Sequence, residues 1–262
     1  MPELPDVEIF RRYFKKKALG QRIDRLSVPN PKVLQQTSPQ ALGRRLSGHR
    51  FKVGRRHGKY LFAQLERKNG CLVFHFGMTG FLKYHKREQN QPPHARLIID
   101  FVNGHQLAYD CQRMFGKVDF ADDMEAYVNE RALGPDALKL KWKHFEEILG
   151  TKKGSVKSAL MDQHSLAGIG NVYSDEILFH ARVDPRAAVG KLDTKTLRRI
   201  FDSTKRVLKG AIKYRADPER MPSSWLVPHR GKRAECPRCG SKLKRVKIQQ
   251  RSAYVCTTCQ KR

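Results

Sequence analysis

The chain begins Met1-Pro2-Glu3-Leu4, and the second of these residues could act as a nucleophile once Met1 is removed. Pro2 would then carry the α-amino group, a secondary amine that titrates at about pH 8, whereas a lysine amine titrates at about pH 10. The proline amine therefore has the larger neutral, nucleophilic fraction in a cell. Glu3 places a carboxylate beside it for proton transfer. The alternative is a frayed terminus that only leads into a helix.

Four cysteines near the other end have the spacing of a zinc site. Cys236-Pro-Arg-Cys239 is followed, after sixteen residues, by Cys256-Thr-Thr-Cys259, so four thiolates can surround one ion. Two disulfides are the alternative, but six cysteines in 262 residues without a signal peptide are not typical of a secreted disulfide scaffold. Because four thiolates leave no position for water, we expect one structural Zn²⁺ that is not the catalyst.

The segment between the two cysteine pairs predicts a β-hairpin. Residues 244–249 and 252–255 have strand composition and are joined at Gln250-Arg251. We therefore expect a hairpin that is clasped by zinc and carries Arg251 at its tip.

The charge of the chain indicates the class of its partner. The sequence has 53 Lys and Arg against 25 Asp and Glu, a formal net charge of +28 with a pI of about 10.2. Eleven of the basic residues lie in 229–262, where Glu235 is the single acid. A membrane surface would also attract this charge, but the chain has no long apolar run or lipidation motif. We expect a nucleic-acid partner and no membrane.

Short apolar runs with turn residues between them predict a β-sandwich or barrel over about residues 1–130. A helix is expected first, from Pro5 or Asp6 to about Ala18, with Gly20 just beyond its end. Asn103-Gly104 is typical of a type I′ hairpin turn. The predicted strands are 51–53, 60–65, 71–76, 81–84, 97–101, 106–109 and 117–120.

Apolar residues recur at helical spacing from about 135 to 215, which predicts a helical domain. Within it, residues 160–179 are typical of a helix, two turns and a second helix. Gly168-Ile-Gly170-Asn171 lies where the second helix opens, and unpaired N–H groups at such a turn could bind a phosphate. Simple turn chemistry is the alternative. The polar segment 216–234 links this domain to the zinc hairpin.

Taken together, the chain resembles the family of formamidopyrimidine-DNA glycosylases and endonuclease VIII, which are bifunctional base-excision repair enzymes. The resemblance implies an α+β multidomain fold: an N-terminal helix plus β-sandwich domain (1–130), a helical helix-two-turns-helix domain (131–228) and a four-cysteine zinc finger (229–262). The motifs that carry it are Pro2-Glu3-Leu4-Pro5-Asp6-Val7-Glu8, His57-Gly58-Lys59-Tyr60-Leu61, Gly77-Met78-Thr79-Gly80, Arg113-Met114-Phe115-Gly116, the helix-two-turns-helix segment and the cysteine pairs.

The resemblance also implies catalytic roles. Pro2 would attack C1′ of the damaged nucleotide and form an iminium that drives β- and δ-elimination. Glu3 would act as general acid and base. Lys59 would contact the phosphates that flank the lesion. The implied partner is damaged double-stranded DNA, and we expect an intracellular, DNA-associated monomer, in the cytoplasm or nucleoid if the source is prokaryotic.

Six further residues match the family's DNA-binding positions. Lys157 and Asn171 would hold phosphates on the lesion side, and Arg251 would be the fingertip arginine. The three residues expected to fill the gap left by the flipped base are Met78, Arg113 and Phe115. For Met78 and Phe115, packing in the core is the alternative.

Two segments depart from the family pattern. The usual Asp-Pro-Arg-Arg-Phe-Gly is here Asp110-Cys-Gln-Arg113-Met114-Phe115-Gly116, so the start of the intercalating loop differs. Residues 214–234 lack the extended glycine-rich loop that covers 8-oxoguanine in many members. We therefore expect specificity to shift toward ring-opened purines and oxidised pyrimidines.

Two other classes of function remain open from the sequence. One is a zinc-finger protein on the same fold that binds DNA damage without catalysis. The other is a ribonucleoprotein component that uses charge and the zinc hairpin to hold structured RNA. Intact Pro2, Glu3 and Lys59 argue against the first, and the Pro-Glu start is unexplained by the second.

Overall fold

The computed structural model describes residues 1–68, 70–89, 91–231 and 234–261. The chain forms two compact units, one of Met1–Pro2 with Asp6–Ala132 and one of Glu3–Pro5 with Leu133–Arg262. The zinc hairpin therefore belongs to the same compact unit as the helices that precede it. The three-domain division at residues 130 and 228 stays a prediction.

In the described residues, the first unit is built from two antiparallel sheets and three α-helices. One sheet has the strand order β1-β6-β7-β5 and the other β2-β3-β4-β8. The strands are β1 (Ile23–Ser27), β2 (Phe51–His57), β3 (Tyr60–Leu65), β4 (Cys71–His75), β5 (Phe81–Lys86), β6 (Ala95–Phe101), β7 (His105–Asp110) and β8 (Lys117–Ala121). The helices are α1 (Leu4–Ala18), whose first two residues are grouped with the second unit, α2 (Pro39–Leu46) and α3 (Met124–Glu130).

The core of this unit lies between the sheets, as the predicted sandwich requires. Apolar side chains of both sheets, such as Phe74 and Leu107, join one buried cluster with Val7 and Phe14 of α1. Full burial of a side chain of this size stabilises a fold by about 1.5–3 kcal/mol. The helix is therefore fixed against the sandwich by its apolar stripe.

In the described residues, the second unit contains four α-helices and a hairpin. They are α4 (Trp142–Gly150), α5 (Val156–Met161), α6 (Asn171–Ala181), α7 (Thr194–Lys213), β9 (Lys244–Ile248) and β10 (Arg251–Val255). Helices α5 and α6, with the turns between them, form the predicted helix-two-turns-helix. Almost all of α6 is buried, including the charged Asp175 and Glu176. Within the described ranges, no helix is long and apolar enough to cross a membrane.

Two predicted turns are wrong in detail. The β6–β7 loop spans residues 102–104, and of Asn103 and Gly104 only Gly104 has positive φ (78°), so the turn is not type I′. Its amide donates to Phe101 O, which is the bond of a type I turn followed by a left-handed glycine. In the zinc hairpin, Gln249 and Gln250 form the turn, so Arg251 begins β10 and does not lie at the tip.

Candidate functional site

The carboxylate of Glu3 is buried and held by backbone amides. Its Oε2 accepts hydrogen bonds from Gly170 N (2.7 Å) and Tyr173 N (3.2 Å), and its Oε1 accepts one from Val172 N (2.7 Å). The side chain is 1% exposed. Gly170 is the N-cap residue of α6, so these donors belong to the positive end of a helix dipole. These three amides form the Glu3 cradle, which holds the carboxyl group at a fixed place.

Glycine is required at two positions of this turn. A Cβ at Gly170 would overlap the Glu3 carboxyl group, and one at Gly168 would lie 2.5 Å from Leu4 Cδ1. Gly168 also has a φ of +118° and accepts a hydrogen bond from Leu4 N at 3.0 Å. The sequence interpretation of this turn as a phosphate site is thus wrong for these amides, because the chain's own Glu3 occupies them.

Asn171 follows the cradle as the first residue of α6. Its side chain is half-buried, and its Oδ1 is a buried atom with no hydrogen-bond partner among the described residues. Its backbone carbonyl accepts a hydrogen bond from Lys157 Nζ at 3.0 Å. Contact of the Asn171 side-chain amide with a phosphate stays a prediction.

The surroundings of Lys157 do not fit a direct phosphate contact. The side chain is fully buried, and Nζ donates to Asp175 Oδ1 (2.5 Å), Ser174 Oγ (2.8 Å) and Asn171 O (3.0 Å). These three bonds use all three ammonium donors. Burial lowers the pKa of Lys157, while the charge of Asp175 acts in the opposite direction. The geometry favours an indirect role, in which Lys157 fixes the first turn of α6.

Asp175 was missed by the sequence interpretation, although it joins three other segments of this unit. Besides Lys157 of α5, it accepts hydrogen bonds from the Arg230 guanidinium and from Tyr254 N of β10 (3.0 Å). The Arg230 guanidinium also lies over the Tyr254 ring, at 4.7 Å. A buried acid in an apolar helix was the available signal. Asp175 therefore ties the start of α6 to the zinc hairpin.

Glu176, the next residue, holds the linker in a similar way. Its carboxylate accepts hydrogen bonds from Leu226 N (3.0 Å) and Val227 N (2.7 Å), and all three residues are buried. The ring of Trp225 lies close to Gly210 of α7, where an added Cβ would approach it to 2.7 Å. This part of the linker is packed against the helices.

Arg251 is exposed and lines a depression of about 350 Å³ in the second unit. Lys152 and Lys153 lie on the same depression, and Lys152 pairs with Asp162 at 2.9 Å. Gln249, from the hairpin turn, also lines the depression. Asp162 also lines the depression and neutralises Lys152, so Lys153 and Arg251 leave it with a positive charge that would attract a nucleic-acid strand.

In the first unit, Lys59 lies in the two-residue turn between β2 and β3 and is half-buried. Arg56 Nη1 donates to Gly58 O at 2.9 Å, and Arg56 Nε lies 3.4 Å from Glu8 Oε2. Glu8 belongs to α1, so these contacts fix the turn that carries Lys59 relative to the helix that follows Pro2. Pro2 itself is half-buried.

His75 is a second residue that the sequence interpretation missed. Burial, followed by the charges of Lys59 and Arg131, lowers the pKa of His75 to about 4. The ring is therefore neutral at physiological pH, and its Nδ1 accepts a hydrogen bond from Gly77 N at 3.4 Å. Gly77 opens the loop that contains Met78, so His75 helps to fix this loop.

Met78, Arg113 and Phe115 lie on two neighbouring loops of the first unit. Arg113 N donates to Thr79 Oγ1 at 3.2 Å, and its guanidinium lies over the Phe115 ring at 5.3 Å. Met78 is 36% exposed and Phe115 is 56% exposed, so neither packs in the core. Large apolar side chains with this exposure are typical of an interaction surface.

The four predicted ligands Cys236, Cys239, Cys256 and Cys259 converge, with their sulfur atoms all within 4.8 Å of one another. Two of the distances are 3.9 Å (Cys236–Cys259) and 3.5 Å (Cys239–Cys256). Tetrahedral Zn–S bonds of about 2.3 Å place the sulfurs roughly 3.8 Å apart, so the cluster fits the ion. The chain binds one structural zinc, and four thiolate ligands close its coordination.

Substitution of Cys256 by Ser should remove most of the zinc and lower the affinity for a damaged duplex roughly tenfold or more, because the metal holds the basic hairpin in place. Zinc per chain is measured by atomic absorption and affinity by fluorescence anisotropy. Thr257→Ala is the matched control, because it changes an exposed residue between Cys256 and Cys259 that is not a zinc ligand. Stoichiometric zinc with unchanged affinity in the Ser variant would contradict a structural finger.

Sequence models of three domain families match the chain in order. Residues 1–118 match the formamidopyrimidine-DNA glycosylase N-terminal domain, and residues 133–222 match the formamidopyrimidine-DNA glycosylase H2TH domain. Residues 235–262 match the zinc finger found in FPG and IleRS. The matches together cover most of the chain.

Known proteins are similar over the full length. The formamidopyrimidine-DNA glycosylase of Streptococcus pyogenes serotype M6 is 33% identical to this chain, over 100% of this chain and 99% of that protein. The formamidopyrimidine-DNA glycosylase of Geobacter metallireducens is 34% identical, over 99% of this chain and 100% of that protein. Lactococcus lactis Fpg, solved as a complex with DNA containing an abasic site, superimposes with a TM-score of 0.89 at 27% identity, over 99% of this chain and 100% of that one.

The sandwich, the helix-two-turns-helix and the zinc finger, with the domain matches, define a DNA glycosylase of base-excision repair. The chain belongs to the formamidopyrimidine-DNA glycosylase family.

Proposed function

We propose that this enzyme removes oxidised or ring-opened bases from double-stranded DNA and then cleaves the abasic strand. The Pro2 amine attacks C1′, the glycosidic bond breaks, and the base leaves with a proton. Opening of the sugar gives an iminium between Pro2 and C1′. Loss of the C2′ proton supplies electrons to this cation and expels the 3′ phosphate, and loss of a second sugar proton expels the 5′ phosphate. Hydrolysis of the remaining iminium then releases the sugar fragment and the Pro2 amine, which leaves a one-nucleotide gap.

The observation that carries the proposal is the Glu3 cradle. A carboxylate held by three amide donors is positioned next in sequence to the attacking amine. A group fixed in this way moves protons without first losing conformational freedom. In the proposed reaction, Glu3 protonates the sugar ring oxygen or the leaving base and later transfers protons during elimination.

The DNA-binding residues divide between the two units. On the first unit, Lys59 holds the phosphates that flank the lesion, and Met78, Arg113 and Phe115 fill the stack after the base is extruded. On the second unit, Asn171 and Arg251 contact phosphates. Lys157 does not, but it fixes Asn171 through a hydrogen bond to the Asn171 backbone carbonyl. The Lactococcus lactis relatives were solved with DNA that contains an abasic site or a Fapy-dG analogue, which agrees with this substrate class.

Product analysis tests both steps together. The protein is incubated with a duplex that carries a formamidopyrimidine, and released base and strand ends are measured by mass spectrometry. We expect free base and a gap with phosphate at both ends. Free base together with an intact strand would show that the protein is a glycosylase without lyase activity. Binding without either product would favour the non-catalytic damage-binding protein.

Specificity should favour ring-opened purines and oxidised pyrimidines over 8-oxoguanine. These bases stack and pair poorly, so less of the cost of base flipping, a few kcal/mol, has to be recovered in the pocket. The linker that would cover 8-oxoguanine is short, and its residues Leu226 and Val227 are held by Glu176. Single-turnover rates are compared on matched duplexes with formamidopyrimidine, 5-hydroxycytosine, thymine glycol or 8-oxoguanine. Fastest excision of 8-oxoguanine opposite cytosine would contradict this prediction.

A further inference from the structure

A second concave surface lies at the C-terminal end of α6, away from the end that carries Asn171 and the Glu3 cradle. It has a volume of about 610 Å³, within the range of small-ligand and peptide sites. The eleven residues of α6 rise about 16 Å, so the helix separates this depression from the cradle. None of the predicted DNA-binding residues lines it.

The rim of this depression is strongly basic. Among the described residues, one acid, Asp193, lines it together with five cationic side chains, namely Arg182, Arg186, Lys191, Arg199 and Lys261. Arg186 is neutralised by Asp184, with contacts of 2.6 and 2.9 Å. In the described part of the chain, Arg182, Lys191 and Lys261 have no carboxylate within ion-pair distance, and all three are exposed. Among the described residues, the rim therefore presents three cations that no carboxylate neutralises.

The floor of the depression is preformed and partly apolar. Val183 and Ala187 are buried in it. Backbone hydrogen bonds fix the rim, because Lys261 N donates to Arg182 O (3.2 Å) and Asp184 N donates to Lys261 O (2.7 Å). Gln260 Nε2 also donates to Val183 O at 2.8 Å. A ligand would not have to order this backbone in order to bind.

Charge and shape together select the occupant. Duplex DNA is a stiff rod bound through its outer phosphates, and such binding does not require an apolar floor. A flexible peptide can place carboxylates on the cationic rim and an apolar side chain on the floor. We propose that this depression binds an acidic peptide segment of a partner protein that carries at least one apolar side chain. Such a partner binds without displacing DNA from the Asn171 end of α6.

Peptide binding is tested with a fluorescein-labelled probe, Asp-Leu-Asp-Asp-Phe with a free carboxyl terminus. Anisotropy is measured on the zinc-loaded full chain at physiological salt, with and without a saturating duplex that contains a tetrahydrofuran abasic analogue. We expect saturable binding that the duplex does not change. The triple variant Arg182→Gln, Lys191→Gln and Lys261→Gln should bind the probe about tenfold more weakly.

A second triple variant controls for net charge. Lys143→Gln, Arg206→Gln and Lys209→Gln removes three exposed cations of the same unit that lie outside the depression, and it should retain probe affinity. Zinc content and duplex affinity confirm that each variant is folded. Equal loss in both triples would reduce the binding to general charge attraction and overturn the proposal. Absence of saturable binding, displacement by the duplex, or stronger binding of oligothymidylate to the depression would also overturn it.

Discussion

Borohydride should trap a covalent adduct between this protein and an abasic-site duplex, and the adduct should map to Pro2. An iminium between a secondary amine and C1′ is reducible, whereas a non-covalent complex is not. A variant with one residue added ahead of Pro2 converts the amine into an amide and moves the new amine by about 3.5 Å. We expect its trapping to fall by about 100-fold, because such a displacement removes the attacking geometry.

Tandem mass spectrometry of the digested adduct distinguishes Pro2 from the lysines. Lys59→Met is the matched control, since it removes the amine of a residue proposed to contact the DNA and leaves the terminus intact. Its adduct should still lie on the N-terminal peptide. An adduct on an internal lysine, or undiminished trapping in the extended chain, would rule out the proline mechanism. Pro2→Gly is not informative, because glycine also has a terminal amine.

Glu3→Gln should lose excision of an intact damaged base by about 100-fold or more, which is the range of a general acid–base catalyst. Cleavage of a preformed abasic site should fall by less than about tenfold, because no base has to be expelled there. The glutamine side chain also binds less well to the cradle, because its NH₂ group is a donor and would face backbone N–H groups that are donors too. The two activities are measured on matched duplexes in single-turnover assays.

The retained lyase activity serves as the internal control for folding, together with zinc content and duplex affinity. Glu125→Gln, a change of an exposed acid in the first turn of α3, should alter neither activity. Full excision by the Glu3 variant would remove Glu3 from the mechanism. Equal loss of both activities would indicate that the cradle only holds the chain terminus in place.

The parts of the site that could be predicted depend on residues close in sequence. The zinc ligands form two pairs of cysteines, and within each pair two residues separate the cysteines. The distances between the sulfur atoms confirm the cluster. The Lys157 network could not be predicted, because Asp175 joins residues 18 and 79 positions away. From the sequence alone, Lys157 could equally have been a lysine exposed to solvent. Only the packing of α5, α6 and β10 makes the ammonium inaccessible.

Turn geometry shows the same limit for the fold. The sequence predicted most strands of the sandwich to within a few residues, but β1 was missed, and the zinc hairpin was shifted by one residue. Gln249 and Gln250 have φ values of 44° and 62°, a conformation that glycine or asparagine adopts more readily. Five pairs of strand partners and the zinc ligands impose this turn on glutamine.

The Glu3 cradle also has a consequence for the order of events during synthesis. The amides that hold Glu3 lie 167 to 170 residues further along the chain. At about 5–20 residues per second, a ribosome needs roughly 8–34 s to add them. During this time the terminus has no cradle to enter and stays accessible to an aminopeptidase. Removal of Met1, on which the proposed chemistry depends, can therefore be completed on the nascent chain before folding buries Glu3.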